Sequence, residues 1–145
     1  MKKTTTTTNV LTGLLLLVSG AVNAQQWGEY TLYSVQNSAT TYLIDTANVN
    51  YHTWTTSNKL TGYSSYMMPG GDVVRTIKKS GNSFSGGGMC GEVIKMDWNS
   101  NITWDYVVSS TTECSHHDIC PMPNGNVLII VYELKSSALV TQAGC

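Results

Sequence analysis

Apolar and polar residues follow a short period along most of this chain, and no long stretch repeats every 3.6 residues. Val, Ile, Thr and Tyr are abundant, and Gly, Pro, Asn or Asp interrupts them about every 8–12 residues, the spacing of short strands joined by turns. The pattern predicts strands at 42–46, 51–55, 63–67, 72–78, 92–97, 102–107, 115–120 and 126–134. An all-β fold is expected.

The same pattern recurs within the chain. "TYLIDTANVNYHTW" (41–54) matches "GEVIKMDWNSNITW" (91–104) at an offset of 50, with Ile44 over Ile94, Thr53 over Thr103 and Trp54 over Trp104. "GYSSYMMPGGDVV" (62–74) matches "HHDICPMPNGNVL" (116–128) at an offset of 54, with Met68-Pro69 over Met122-Pro123 and Gly71 over Gly125. A four-residue loop insertion would reconcile the two offsets. Each unit then holds two hairpins, one turning at Pro-Gly-Gly or Pro-Asn-Gly, where glycine or asparagine adopts positive φ at little cost.

Four strands per roughly 50 residues is the signature of a β-propeller blade. Residues 63–67 and 72–78 would be the inner strands of one blade, and 92–97 and 102–107 its outer strands. Residues 115–120 and 126–134 would open the next blade, and 42–46 and 51–55 would finish an earlier one. Propellers need roughly 4–8 blades, whereas this chain supplies about two. It is therefore expected to be part of a longer protein.

The N-terminus changes the compartment. Lys2 and Lys3 precede an apolar run from Val10 to Val18, and Ala21-Val22-Asn23-Ala24 offers small residues for cleavage. This predicts a secretory signal peptide over 1–24 and a partial β-propeller domain over 25–145. The apolar run is shorter than the roughly 20 residues a spanning helix needs, so no membrane span is expected in the mature chain. Secreted or periplasmic placement follows.

Charge excludes one class of partner. Charged residues are 12% of the chain and Arg75 is its one arginine, so there is no basic patch to hold nucleic acid. The four cysteines, Cys90, Cys114, Cys120 and Cys145, are an even number in an oxidising compartment and are disulfide candidates. Their pairing stays open; a bridge from Cys145 to Cys114 or Cys120 is one hypothesis.

The densest chemistry is "CSHHDICPMPNGN" (114–126). "PMPNGN" repeats an earlier turn and belongs to the blade. "SHHD" (115–118) lies over "TGYS" (61–64), which puts Tyr63 where His117 stands, so the blade itself does not require the histidines. Four roles remain open. The histidines could be structural, bonded to Asp118 or the backbone. Cys114, His116, His117 and Cys120 could ligate zinc, although their spacing is no standard zinc pattern and oxidation favours pairing the thiols. Ser115 with His116 could form a nucleophile–base pair, although no nucleophile elbow surrounds it. Finally, a histidine could be the nucleophile or general acid/base in a polar channel, since imidazole titrates near neutrality.

The run "HHDICPMPNGNVLIIVYE" (116–133) resembles the blade motif of the bacterial arylsulfate sulfotransferases, and "GGGMCGEVIKMDWNSNITWDY" (86–106) is similar to the N-terminal blades of secreted members. The resemblance extends over essentially the whole mature chain. It implies a six-bladed propeller outside the cytoplasm. It further implies transfer of a sulfuryl group from a phenolic sulfate ester to a phenol through a sulfated channel histidine, with no cofactor and no nucleotide donor. On this resemblance His117 matches the channel histidine, as nucleophile or sulfate-binding group, with His116 beside it. Asp118 is the neighbour that could orient the imidazole. Tyr63 would line the channel mouth, Arg75 is a candidate for holding sulfate, and His52 is expected at the surface of an outer strand. The isolated chain would be inactive, because most of the ring is missing. A non-catalytic propeller binding a ligand or protein partner is the alternative, since fold alone does not decide function.

Overall fold

The computed structural model describes residues 28–81 and 86–144. The expected leader over 1–24 and the cysteine at 145 lie outside the described residues. The described residues form nine strands and one short helix, numbered in chain order. β1 (Tyr30–Ser34), β2 (Thr40–Asp45) and β3 (Asn50–Thr55) form a three-stranded antiparallel sheet. β4 (Thr61–Met67), β5 (Val73–Lys78), β6 (Gly91–Met96) and β7 (Ile102–Val107) form a four-stranded one, and β8 (Glu113–Pro121) pairs with β9 (Val127–Glu133). In each sheet the spatial order equals the sequence order, so every connection joins neighbours.

The middle sheet is the core, because its two central strands are buried on both faces. Val73, Ile77, Ile94 and Met96 pack against Leu43, Trp54 and Leu32 of the first sheet. Val74 and Val93 project the other way, onto Ile119 with Met68, Val127 and Ile129. Strand alternation produces this division: neighbouring residues of one strand serve opposite interfaces. Each aliphatic side chain so buried contributes about 1.5–3 kcal/mol.

Two elements were not expected from the sequence pattern. β1 is one, an added edge strand paired antiparallel with β2. The other is α1 (Ser137–Gln142), a six-residue helix whose N-cap Ser136 accepts a hydrogen bond from the Leu139 N–H.

The repeat survives with one correction. β4–β5 and β8–β9 share their register, since Thr61 pairs with Ile77 as Ser115 pairs with Val131, at the expected offset of 54. Their turns are also alike. The Gly71 N–H donates to Met68 O, and the Gly125 N–H donates to Met122 O. For β2–β3 and β6–β7 the structure replaces the offset of 50 by 52. Asp45 and Asp97 each accept two backbone N–H bonds across their turns, Asn48 and Ser100 take matching positive φ angles of 61° and 69°, and Leu43–His52 corresponds to Lys95–Trp104. Trp54 is therefore equivalent to Tyr106, and Trp104 to His52. The sequence match was displaced by two residues, which keeps every side chain on its proper face and leaves the alternation looking correct.

His52 also departs from expectation. It is half-buried rather than superficial, stacked on Trp98 at 3.8 Å between ring centroids, with its Nε2 2.8 Å from Trp98 O. The ring belongs to the interface between the first and middle sheets.

Candidate functional site

The site begins with an irregularity in two strands. Between Thr61 and Ser65, β4 advances four residues while β5 advances two, from Ile77 to Arg75. Between Ser115 and Ile119, β8 does the same against Val131 and Ile129 of β9. Both copies of the repeat thus carry a two-residue bulge at the same place, and "TGYS" and "SHHD" are those bulges. A bulge re-aims side chains that the regular pleat would send elsewhere.

Within the shared bulge, His117 is distinguished by its backbone. Among the described residues, positive φ outside glycine occurs at Asn37, Asn48, Ser100 and His117, and only His117 lies within a strand. Its φ is 51°, whereas the equivalent Tyr63 is not inverted. A non-glycine residue in that region costs on the order of 1–3 kcal/mol unless its surroundings hold it there. Here they do: the His117 N–H donates to Gly88 O at 2.7 Å, and the imidazole lies against the Gly88 α-carbon.

The neighbours of the imidazole are specific. His116 Nδ1 lies 3.0 Å from His117 Nδ1. The His116 ring stacks on Tyr132 at 3.8 Å, and the Tyr132 hydroxyl donates to Gly87 O. Burial, reinforced by the charge of His117, holds the His116 pKa below the usual imidazole value. One ring donates at Nδ1 and the other accepts, and one of the two tautomer pairings has the His117 Nδ1–H donating to His116. That tautomer leaves His117 Nε2 with its lone pair.

Asp118 is engaged elsewhere. Its carboxylate accepts from the Tyr66 hydroxyl at 2.8 Å and from the Ile119 N–H at 2.8 Å. Burial pushes the carboxyl up, but these bonds, with Ser64 nearby, outweigh it and hold the pKa below the ordinary carboxylate value. The Tyr66 phenol is raised in turn, first by its bond to Asp118. It is His116, and not Asp118, whose hydrogen bond fixes the His117 ring.

His117, Asp118, Tyr63 and Tyr66 line a cleft of roughly 470 Å³, closed on the other side by Leu32, Tyr33 and Ser34 of β1. The Tyr63 ring sits 5.2 Å from that of His117. Ser34 Oγ and Ser65 Oγ are 2.7 Å apart across the cleft floor, which ties β1 to β4. Among the described residues the lining contains no lysine or arginine.

Arg75 is not part of this lining. It is fully buried at the interface of the first two sheets, where its guanidinium donates to Thr41 Oγ1, Thr56 Oγ1, Ala39 O and Lys59 O at 2.8–3.3 Å. Burial lowers its pKa to about 10. The side chain joins the β1–β2 and β3–β4 connections in place of a substrate.

The cysteines are spread over different environments. Cys90 is buried, its thiol pushed up chiefly by desolvation, and Cys114 is buried on β8, while Cys120 is exposed. No disulfide joins these three residues, and Cys145 lies outside the described residues. Among the described residues no group of three or more His, Cys, Asp or Glu side chains could hold a metal ion. Cys114 and Cys120 lie on opposite sides of the β8 bulge, Cys114 buried and Cys120, like His117, exposed.

Four contributors were missed by sequence reasoning: Tyr66, Ser65, Tyr132 and Gly88. The "GGG" run at 86–88 was the available signal for the last, since consecutive glycines mark a close approach of the backbone to another group. No family model matches the chain, and no curated protein or solved structure matches it significantly.

Proposed function

We propose that the chain is the N-terminal part of a secreted or periplasmic β-propeller that transfers a sulfuryl group between phenolic oxygens through His117. The propeller reading is supported by the sheet-to-sheet repeat of register, turn and bulge. The catalytic reading rests on one observation above all: His117 is held at φ 51° in a bulge whose other copy is not inverted. Strain of this kind persists where the surroundings demand it, and it is concentrated at functional sites.

In the proposed cycle the His117 Nε2 attacks sulfur, the bond from sulfur to the aryl oxygen breaks, and the phenolate leaves to take a proton from solvent. An acceptor phenol then loses its proton, attacks the same sulfur and restores the imidazole. With His116 accepting the Nδ1 hydrogen, the neutral His117 ring presents its lone pair at Nε2. Exposed tyrosine rings at Tyr33, Tyr63 and Tyr66 offer faces for an aryl group. In the full-length protein, His117→Ala should abolish release of phenol from a chromogenic aryl sulfate, and a sulfated His117 peptide should be trapped without acceptor. Normal turnover by the variant would refute the proposal.

A second reading, a non-catalytic ligand-binding propeller, is favoured by the same lining. A cleft whose described lining holds an ionised carboxylate and no lysine or arginine suits a neutral, hydroxyl-bearing ligand. Retention of ligand binding by a protein that never forms the sulfated histidine would select it.

A further inference from the structure

The two bulges of the repeat occupy equivalent places but are held by different means. In the first, one side chain carries the displaced backbone. Thr76 stands on β5 between Ile77 and Arg75, opposite the bulge. Its hydroxyl accepts the Tyr63 N–H at 2.9 Å and the Ser64 N–H at 3.1 Å, and donates to Ser64 O at 3.3 Å. That uses both lone pairs and the one hydrogen of a hydroxyl. Amides turned out of a strand ladder need such partners, because buried unpaired backbone groups are costly.

This clamp leaves no room beside it. A β-carbon at Gly62 would fall 2.7 Å from Thr76 Oγ1 and 2.8 Å from Cys90 Sγ, so glycine at 62 and the hydroxyl at 76 belong together. The second bulge lacks both. At the shared offset of 54, Ile130 stands between Val131 and Ile129 as Thr76 stands on β5, and His116 replaces Gly62. Ile130 offers no acceptor, and the His116 β-carbon takes the space that a hydroxyl at 130 would need. The His117 N–H goes to Gly88 O instead, at 2.7 Å. His117, bonded in this way, has φ 51°, whereas Tyr63 on the clamp is not inverted.

We propose that Ile130 is a positioning residue for the His117 imidazole, acting with His116 to withhold the hydroxyl clamp from this bulge. Without the clamp the backbone at 117 turns to Gly88, φ inverts, and the ring is delivered to the Gly88 α-carbon and to His116 Nδ1. Ile130 acts through the backbone alone and is not among the residues lining the cleft. The inference rests on the paired bulges. It holds whether His117 transfers a sulfuryl group or contacts a neutral ligand.

The test converts one bulge into the other in the 145-residue chain. Ile130 is 50% exposed, so its replacement leaves the core packing in place. In the parent the imidazole lies on the Gly88 α-carbon, and its ring current should shift the Gly88 α-proton resonances. His116→Gly/Ile130→Thr regains the glycine and the hydroxyl, and most of that shift should disappear. His116→Gly/Ile130→Val has the same shape without the hydroxyl and should keep the shift. So should Ile130→Thr alone, where the His116 β-carbon still blocks the clamp. Loss of the shift in the valine double variant, or its retention in the threonine one, overturns the proposal. Thr76→Val checks the clamp where it stands, with no change at His116. Amide exchange at Tyr63 and Ser64 should rise about tenfold, while Ile130→Val should leave exchange at His117 and Asp118 unchanged. Parent-like exchange at Tyr63 and Ser64 in Thr76→Val also overturns the proposal.

Discussion

The imidazole of His117 rests on the α-carbon of Gly88, so that a β-carbon at Gly88 would fall 2.0 Å from the ring's Cε1. Gly88 itself has φ +70°, and its carbonyl accepts the His117 N–H. Two inverted residues, Gly88 in the turn before β6 and His117 in β8, therefore hold each other.

Gly88→Ala should break this pair in two ways. The methyl group cannot share space with the imidazole, and alanine tolerates the positive φ less well, at a cost of about 1 kcal/mol or more. The His117 ring should be displaced, with altered imidazole chemical shifts and a changed rate of modification by an acylating reagent. His52, held by Trp98, serves as the internal control and should keep its shifts. Unchanged His117 resonances would show that the glycine does not position it.

The two interfaces of the repeat predict unequal costs at equivalent positions. Trp54 is fully buried among Leu43, Val73, Ile94 and Met96, so Trp54→Ala should destabilise the fold by about 3–5 kcal/mol. Tyr106 is its equivalent but faces an open groove between the middle sheet and β9, and Tyr106→Ala should cost under about 1 kcal/mol. Denaturant titration of both variants checks this. Equal losses would mean that the groove is closed in solution.

Acid should weaken the fold through His116. Its folded pKa is lowered, first by burial and then by His117, so the unfolded chain binds the proton more readily. Its contribution is fully present above the unfolded value of about 6.5 and is lost as pH falls through that value toward the folded pKa. Thermal melting followed from neutral pH downward should show this decline, and His116→Gln should flatten it. A variant with the parent's pH profile would assign the decline to other groups, with Asp118 the next to test. The Asp118 pKa is lowered too, so its contribution is lost only at pH values below the ordinary carboxylate range.

Much of the architecture was legible because strand and turn are local. Alternation of Val, Ile, Thr and Tyr located eight of the strands, and the Pro-Gly-Gly and Pro-Asn-Gly turns fixed the β4–β5 and β8–β9 hairpins at their true offset. Alternation has a period of two, however, so a match slipped by two residues looks as good as the correct one. That is why Trp54 was set over Trp104, and only the Asp45 and Asp97 turns reveal Tyr106 as its equivalent.

For the site, the sequence by itself singled out His116, His117 and Asp118 as residues the repeat does not require, and Tyr63 as the counterpart of His117. The tertiary structure decided what each one touches. The bulge, the inverted φ of His117, the Gly88 contact and the Tyr66–Asp118 bond all join residues at least 29 positions apart or depend on strand pairing. Arg75 shows the same limit from the other side: its sequence neighbours describe a strand, and only the packing of the first sheet against the second turns its guanidinium inward to Thr41 and Ala39. Alternation along a strand is written in neighbouring residues; which face meets which partner is settled only when the sheets come together.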